Sequence, residues 1–113
     1  MEEKKPNLKK DSFDSAEIHY EDYSDDEDEN SKLVNPLRKG VNYHTNGNIK
    51  FSGFFKKGLR EGYGIEYYEN GCKKYEAIYS NNLKDGTGTE YNSKGLMRYQ
   101  GNFKKNKKNG FGI

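Results

Sequence analysis

Residues 51–74 read FSGFFKKGLREGYGIEYYENGCKK, and the stretch is repeated at once. Residues 75–98 read YEAIYSNNLKDGTGTEYNSKGLMR and residues 99–113 read YQGNFKKNKKNGFGI, a period of 24 residues. At that spacing Phe51, Tyr75 and Tyr99 correspond, as do Gly53, Ala77 and Gly101, and Phe55, Tyr79 and Phe103. The pairs Gly62 and Gly64, Gly86 and Gly88, and Gly110 and Gly112 keep the same period. One period upstream, Gly40, Tyr43 and Gly47 align with Gly64, Tyr67 and Gly71, so the second half of an earlier copy survives. Such self-similarity marks a repeat architecture, in which each unit buries its apolar face against its neighbours.

The local pattern is that of strands. A period of two puts Phe51, Gly53 and Phe55 on one face, and Tyr75, Ala77 and Tyr79 on the same face of the next unit. Small residues between aromatics leave room for rings to lie over the backbone, with Gly62 and Gly64 as the matching hollow in the second strand. Ala77 is expected to crowd a ring that Gly53 and Gly101 accommodate. Asn46-Gly47 and Asn70-Gly71 suit two-residue hairpin turns, and Lys94-Gly95 closes a longer loop begun at Asn92-Ser93. The second connection of each unit is expected to be longer, spanning residues 57–61, 81–85 and 105–109. There Gly58, Asn82 and Asn106 occupy equivalent positions, and Gly and Asn enter the left-handed region most readily. With no pattern at helical spacing, the expected fold is all-β: a single-layer, elongated antiparallel meander of about seven strands.

An aromatic, a glycine two residues on, a second aromatic, then G-x-G and an aromatic resembles the MORN repeat (membrane occupation and recognition nexus). Tyr99-x-Gly101-x-Phe103 and Gly62-x-Gly64-x-x-Tyr67 carry the resemblance, which covers roughly residues 40–113. The chain departs from the pattern at Ala77 and in using Phe or Tyr where the family often has Trp. The resemblance implies the same elongated sheet, association with anionic phospholipids, and scaffolding at membranes and cytoskeleton.

Composition divides the chain near Asn35-Pro36. All 13 glycines lie between Gly40 and Gly112. Residues 1–30 carry 12 acids and 4 lysines, net -8, and residues 31–113 carry 6 acids and 16 bases, net +10. Residues 1–32 are read as a disordered acidic tail, since the run Asp25-Asp26-Glu27-Asp28-Glu29 repels itself. Phe13, Ile18, Tyr20 and Tyr23 interrupt it, leaving open a short segment that orders on a partner. Residues 33–39 are read as a linker and 40–113 as the array: a half repeat at 40–50, repeats at 51–74 and 75–98, and a partial repeat at 99–113. The array would end on an unpaired sheet edge, available to a partner, a second copy or further sequence.

The chemistry expected of an enzyme is absent from the motifs. His19 and His44 are isolated, and there is no H-x-x-x-H, C-x-x-C, G-x-S-x-G or phosphate loop. Gly62-Tyr63-Gly64 and Gly86-Thr87-Gly88 lack the third glycine and following helix of a dinucleotide site. Glu66 and Glu90 recur at the repeat period and are read as a solvated strand face. No catalytic residue, metal ligand or cofactor site is assigned. The lone Cys72 and the lack of any long apolar run point to a reducing, cytoplasmic setting.

Two surfaces remain. Lys56, Lys57, Arg60, Lys84, Lys104, Lys105, Lys107 and Lys108 fall near the second connections and would form a cationic ladder along one edge, suited to an anionic membrane. The plain alternative is a lysine-rich edge that keeps the sheet from pairing with others. Phe54, Tyr63 and Tyr68 are candidates for an open face that docks a protein segment, or that packs upon itself. Ser24, followed by Asp25 and Asp26, is a candidate phosphorylation site for an acid-directed kinase, against an unmodified solubility tail.

The readings are therefore a non-enzymatic scaffold binding a protein partner, a peripheral tether to anionic phospholipid, and the targeting segment of a larger enzyme. Nucleic acid is set aside because no oligonucleotide-binding or RNA-recognition motif accompanies the basic residues. The opposite charges of tail and array add the expectation of a weak, salt-sensitive contact between them.

Overall fold

The computed structural model describes residues 17–21 and 37–112. Phe13, Tyr23, Ser24, the acidic run 25–29 and Pro36 lie outside the described residues. Eight strands follow in chain order: β1 (His19–Tyr20), β2 (Arg38–Tyr43), β3 (Ile49–Lys56), β4 (Leu59–Tyr67), β5 (Lys73–Ser80), β6 (Leu83–Tyr91), β7 (Met97–Lys104) and β8 (Lys107–Gly112). Each pairs antiparallel with the next in one sheet, without crossovers. Seven of them make the meander that the repeats imply. The sheet starts at Arg38, and β1 is contributed by the acidic segment, where the sequence reading placed no strand.

The register explains the glycines. Phe51 lies opposite Glu66, and Gly53 opposite Gly64; Tyr75 and Ala77 face the same Glu66 and Gly64 from the other side. One face of the sheet is thus paved with rings lying on a row of small residues. A Cβ on Gly64 would overlap the ring of Phe51, and one on Gly112 the ring of Tyr99. Phe51 is 0 % exposed and Tyr79 2 %, and Phe51 meets Phe55 and Tyr79 edge to face at 5.4 and 5.3 Å. Burying a side chain of this size contributes about 1.5–3 kcal/mol, and each edge-to-face pair adds about 0.5–1.5 kcal/mol.

The first glycine of each G-x-G does something else. Gly62, Gly86 and Gly110 have φ of +94, +131 and +78°, and the register of each hairpin shifts beside them. On β4, residues 61–63 lie opposite Phe54 alone, between the pairs Phe55–Arg60 and Gly53–Gly64. Two extra residues leave side-chain parity unchanged, so Arg60 returns to the ring-bearing face. Gly62 is therefore not the hollow for a ring; Gly64 alone is.

The two kinds of connection are the reverse of the expectation. Lys57-Gly58, Asn81-Asn82 and Lys105-Asn106 are two-residue turns with positive φ at both positions, the signature of the type I′ hairpin turn. The Asn-Gly connections are the longer ones. In the first, the His44 N–H donates to Asn48 O and the Gly47 N–H to His44 O; Tyr68–Cys72 and Asn92–Leu96 repeat the pattern. Only the glycine has positive φ, which is a type I turn closed by a glycine bulge. Gly58, Asn82 and Asn106 are left-handed as their equivalence predicts, at +81, +75 and +74°.

Each turn is also fastened to its neighbour. Asn46 Nδ2 donates to Glu69 O and Asn70 Nδ2 to Ser93 O, both at 2.9 Å. At the opposite end Asn82 Oδ1 accepts from the Arg60 N–H at 2.8 Å, and Asn106 Oδ1 from the Lys84 N–H at 2.9 Å. The Asn82 and Asn106 N–H groups return bonds to Arg60 O and Lys84 O.

The substitution at Ala77 has a visible effect. In the repeats with glycine, the two aromatics of one strand stack: Phe51 on Phe55, and Tyr99 on Phe103 at 5.3 Å. Tyr75 instead meets Phe103 of the following repeat at 6.1 Å and stays half-buried, while the methyl group of Ala77 fills the hollow at Gly88.

Candidate functional site

The sheet divides the eight cations of the expected ladder into two groups. Arg60, Lys84 and Lys108 share the ring-bearing face. The Arg60 guanidinium lies 4.1 Å from the Phe51 ring centre and 3.4 Å from Glu66 Oε1. Lys84, 8 % exposed, holds its ammonium 3.9 Å over Tyr75 and 3.1 Å from Asn106 Oδ1; burial, above all, pulls its pKa down. Lys108 lies 5.0 Å over Tyr99 and pairs with Glu90 at 3.0 Å. Such cation–π contacts contribute about 0.5–2 kcal/mol each, so these three cations serve the packing. Glu66 and Glu90 are their counter-ions on that face, not members of a solvated one.

Lys56, Lys57, Lys104, Lys105 and Lys107 are exposed and sit at the type I′ end of the sheet. They form two clusters, at the β3–β4 and β7–β8 turns. The turn between, Asn81-Asn82, is uncharged, which separates the clusters by four strand spacings, roughly 19 Å.

The opposite face has no second layer among the described residues. Tyr63 stands directly across from Ile78, and the two are 45 % and 37 % exposed. Beside them runs a groove of about 410 Å3 floored by the backbone at Ala77, Gly88 and Gly101, and walled by Glu76, Thr87, Thr89, Gln100 and Asn102. Cross-strand register pairs Thr87 with Asn102 and Thr89 with Gln100.

At its rim Glu76 accepts hydrogen bonds from Tyr63 Oη at 2.6 Å and Tyr91 Oη at 3.1 Å, with Lys73 Nζ 3.5 Å away. The bond from Tyr63 is the largest influence holding Glu76 below its usual range. The same bond, with burial and the carboxylate charge behind it, pushes Tyr63 up to about 12. Phe54, half-buried, also lies on this face. Tyr68 does not: it belongs to the turn at the other end, where its hydroxyl donates to Tyr91 O at 2.8 Å and Lys74 Nζ lies 5.4 Å over its ring.

Sequence reasoning missed the partnership of Tyr63 with Ile78 and Glu76, and the inward turn of Arg60 and Lys84. One signal was available for the latter. Arg60, Lys84 and Lys108 recur at the full period, as packing residues do, while the turn lysines do not. Among the described residues no cluster of His, Cys, Asp and Glu could hold a metal ion, and no helix is long and apolar enough to cross a membrane.

A sheet of hairpins, each laying aromatic rings on its neighbour's glycines, is the architecture that the sequence resemblance implied. The MORN repeat model matches residues 51–73, 75–97 and 99–113, and the chain belongs to the MORN repeat family. That family is a non-catalytic repeat module, associated in general with membrane or protein interaction. The chain matches no curated protein and no solved structure.

Proposed function

We propose that the chain is a non-enzymatic, cytoplasmic scaffold module whose open sheet face, centred on Tyr63 and Ile78, docks a segment of a protein partner. The observation that carries this reading is the directly opposed, exposed pair of apolar side chains at the rim of a groove walled by hydrogen-bonding groups. Aromatic anchors with a polar rim are the usual anatomy of a docking site. Affinity capture and crosslinking with the full chain test it. Replacing Tyr63 and Ile78 with serine abolishes capture of specific partners, and reversing the charge of Lys56, Lys57, Lys104, Lys105 and Lys107 leaves it intact. The opposite pattern moves the docking surface to the turns.

A second reading, a peripheral tether, is favoured by the exposed turn lysines, each worth about 1 kcal/mol near an acidic leaflet. Two clusters 19 Å apart by the spacing above engage a surface better than a single headgroup. Co-sedimentation with neutral and anionic vesicles across a salt series decides it. Binding that needs anionic lipid, falls with salt and disappears on charge reversal at the five turn lysines assigns the tether; no binding by the folded chain removes it. If the array belongs to a larger enzyme, either surface serves to target it.

A further inference from the structure

The strand that caps the N-terminal side of the sheet is out of step with the repeat. By the 24-residue period, the positions equivalent to Phe51, Gly53 and Phe55 are Glu27, Glu29 and Ser31, which supply neither aromatic nor glycine. The chain instead uses residues about nine positions further upstream. Tyr20 pairs with Gly40 and His19 with Val41, and the Glu21 N–H donates to Lys39 O at 2.9 Å. A Cβ on Gly40 would come 3.0 Å from Ile18 Cγ2 and 3.1 Å from Tyr20 Cδ1, so these two side chains cover Gly40 as Phe51 covers Gly64. The Tyr20 ring meets Phe55 edge to face at 6.0 Å, and Arg38 lays its guanidinium 4.0 Å over it. On the other face His19 meets Tyr43 at 5.4 Å.

Two features set this contact apart from every other in the sheet. β1 has two residues and engages one third of the six-residue β2, whereas the other strands run to between six and nine. It also reaches the sheet across residues 22–36 in place of a tight turn, so its hold is that of a tethered ligand, governed by effective concentration.

We propose that the free edge of β2 is a strand-addition site for an extended peptide of the pattern aliphatic-x-Tyr-acid, and that Ile18-His19-Tyr20-Glu21 is its resident, displaceable occupant. The site reads an aliphatic side chain and a tyrosine over Gly40, the tyrosine held between Phe55 and Arg38. An acid at the next position stands opposite Lys39. Main-chain bonds to β2 supply affinity and the alternate side chains supply selectivity, as in other strand-addition modes. The inference concerns a different surface from the Tyr63 face and stands whether or not that face docks a partner.

The test uses the full chain and a fluorescently labelled peptide of residues 15–23. Ile18→Ser with Tyr20→Ser empties the seat, and fluorescence anisotropy is expected to show the peptide binding this variant at least tenfold tighter than the wild type. The same peptide carrying both serines binds neither. Equal affinity for variant and wild type, or no binding to a variant that circular dichroism shows to be folded, overturns the proposal. Should the variant not fold, hydrogen exchange in the wild type decides: the Glu21 amide exchanges at least tenfold faster than those of Gly64 and Ala77 if the strand is displaceable, and equal protection overturns it. A wild-type dimer that both serines dissolve would identify the occupant as a second copy, and also overturns the peptide assignment.

Discussion

The ring of Phe51 lies flat across Gly64 of the neighbouring strand, with no room between them for a methyl group. Gly64→Ala is therefore expected to cost about 1–3 kcal/mol, the usual penalty for overfilling a packed site. Gly71 is the contrast. Nothing lies within 4 Å of its added Cβ, and its φ is +98°. There alanine costs about 1–2 kcal/mol through left-handed strain, and asparagine costs less. Urea denaturation of the full chain should rank asparagine worse than alanine at Gly64 and better than alanine at Gly71. The same ranking at both sites would count against the packing account.

Ala77 and Gly88 share one hollow. A Cβ on Gly88 would come 2.7 Å from the Cβ of Ala77. Gly88→Ala should destabilise the chain alone, and less so beside Ala77→Gly. The expected coupling is about 0.5–3 kcal/mol in a double-mutant cycle, and simple additivity would contradict it. Ala77→Gly should also let Tyr75 settle deeper, read as reduced quenching of its fluorescence by acrylamide.

Asn82 combines a left-handed backbone with a side-chain bond to the Arg60 N–H. Asn82→Gly removes only the bond, about 0.5–1.5 kcal/mol. Asn82→Ala adds strain of about 1–2 kcal/mol. Both variants should speed amide exchange at Arg60; an unchanged rate would show that the side-chain bond is not held in solution.

The pair of Tyr63 and Glu76 gives a pH dependence at both ends of the scale. Glu76 binds its proton less readily in the folded chain, so the stability it contributes is present above the ordinary carboxylate range and is lost as pH falls through its lowered value. Tyr63 holds its proton up to about 12. Its contribution is complete below the ordinary tyrosine range and is lost as pH rises toward that value. Tyr63→Phe should remove the late step from the phenolate absorbance titration and raise the Glu76 midpoint seen by nuclear magnetic resonance. If the midpoint of Glu76 does not move, the bond is not a significant one.

What the sequence made legible follows from which constraints repeat. The ring-bearing face could be read because Phe51, Phe55, Tyr79 and Phe103 recur in phase, and the left-handed positions because Gly58, Asn82 and Asn106 exchange only for one another. The two turn classes were exchanged for a physical reason: Asn-Gly satisfies a type I′ turn and a glycine-bulge loop equally well, and the choice rests on hydrogen bonds that close three residues apart. The inward turn of Arg60 and Lys84 depends on the extra residues beside Gly62 and Gly86, which no dipeptide rule counts. β1 was out of reach because Ile18 and Tyr20 lie outside the period, within an acidic stretch whose composition argues against a strand.

The bonds that join turn to turn have one more consequence. Asn46 reaches a carbonyl 23 residues ahead, as Asn70 does, and Asn82 and Asn106 each reach an amide 22 residues behind. Every donor is thus addressed to an acceptor by a fixed chain distance. A single inserted residue would misdirect all the bonds that span it, at both ends of the sheet. Deletion or duplication of a complete unit of 24 residues misdirects none. An array wired in this way can change its reach only by whole units, and natural length variants should differ in steps of one repeat.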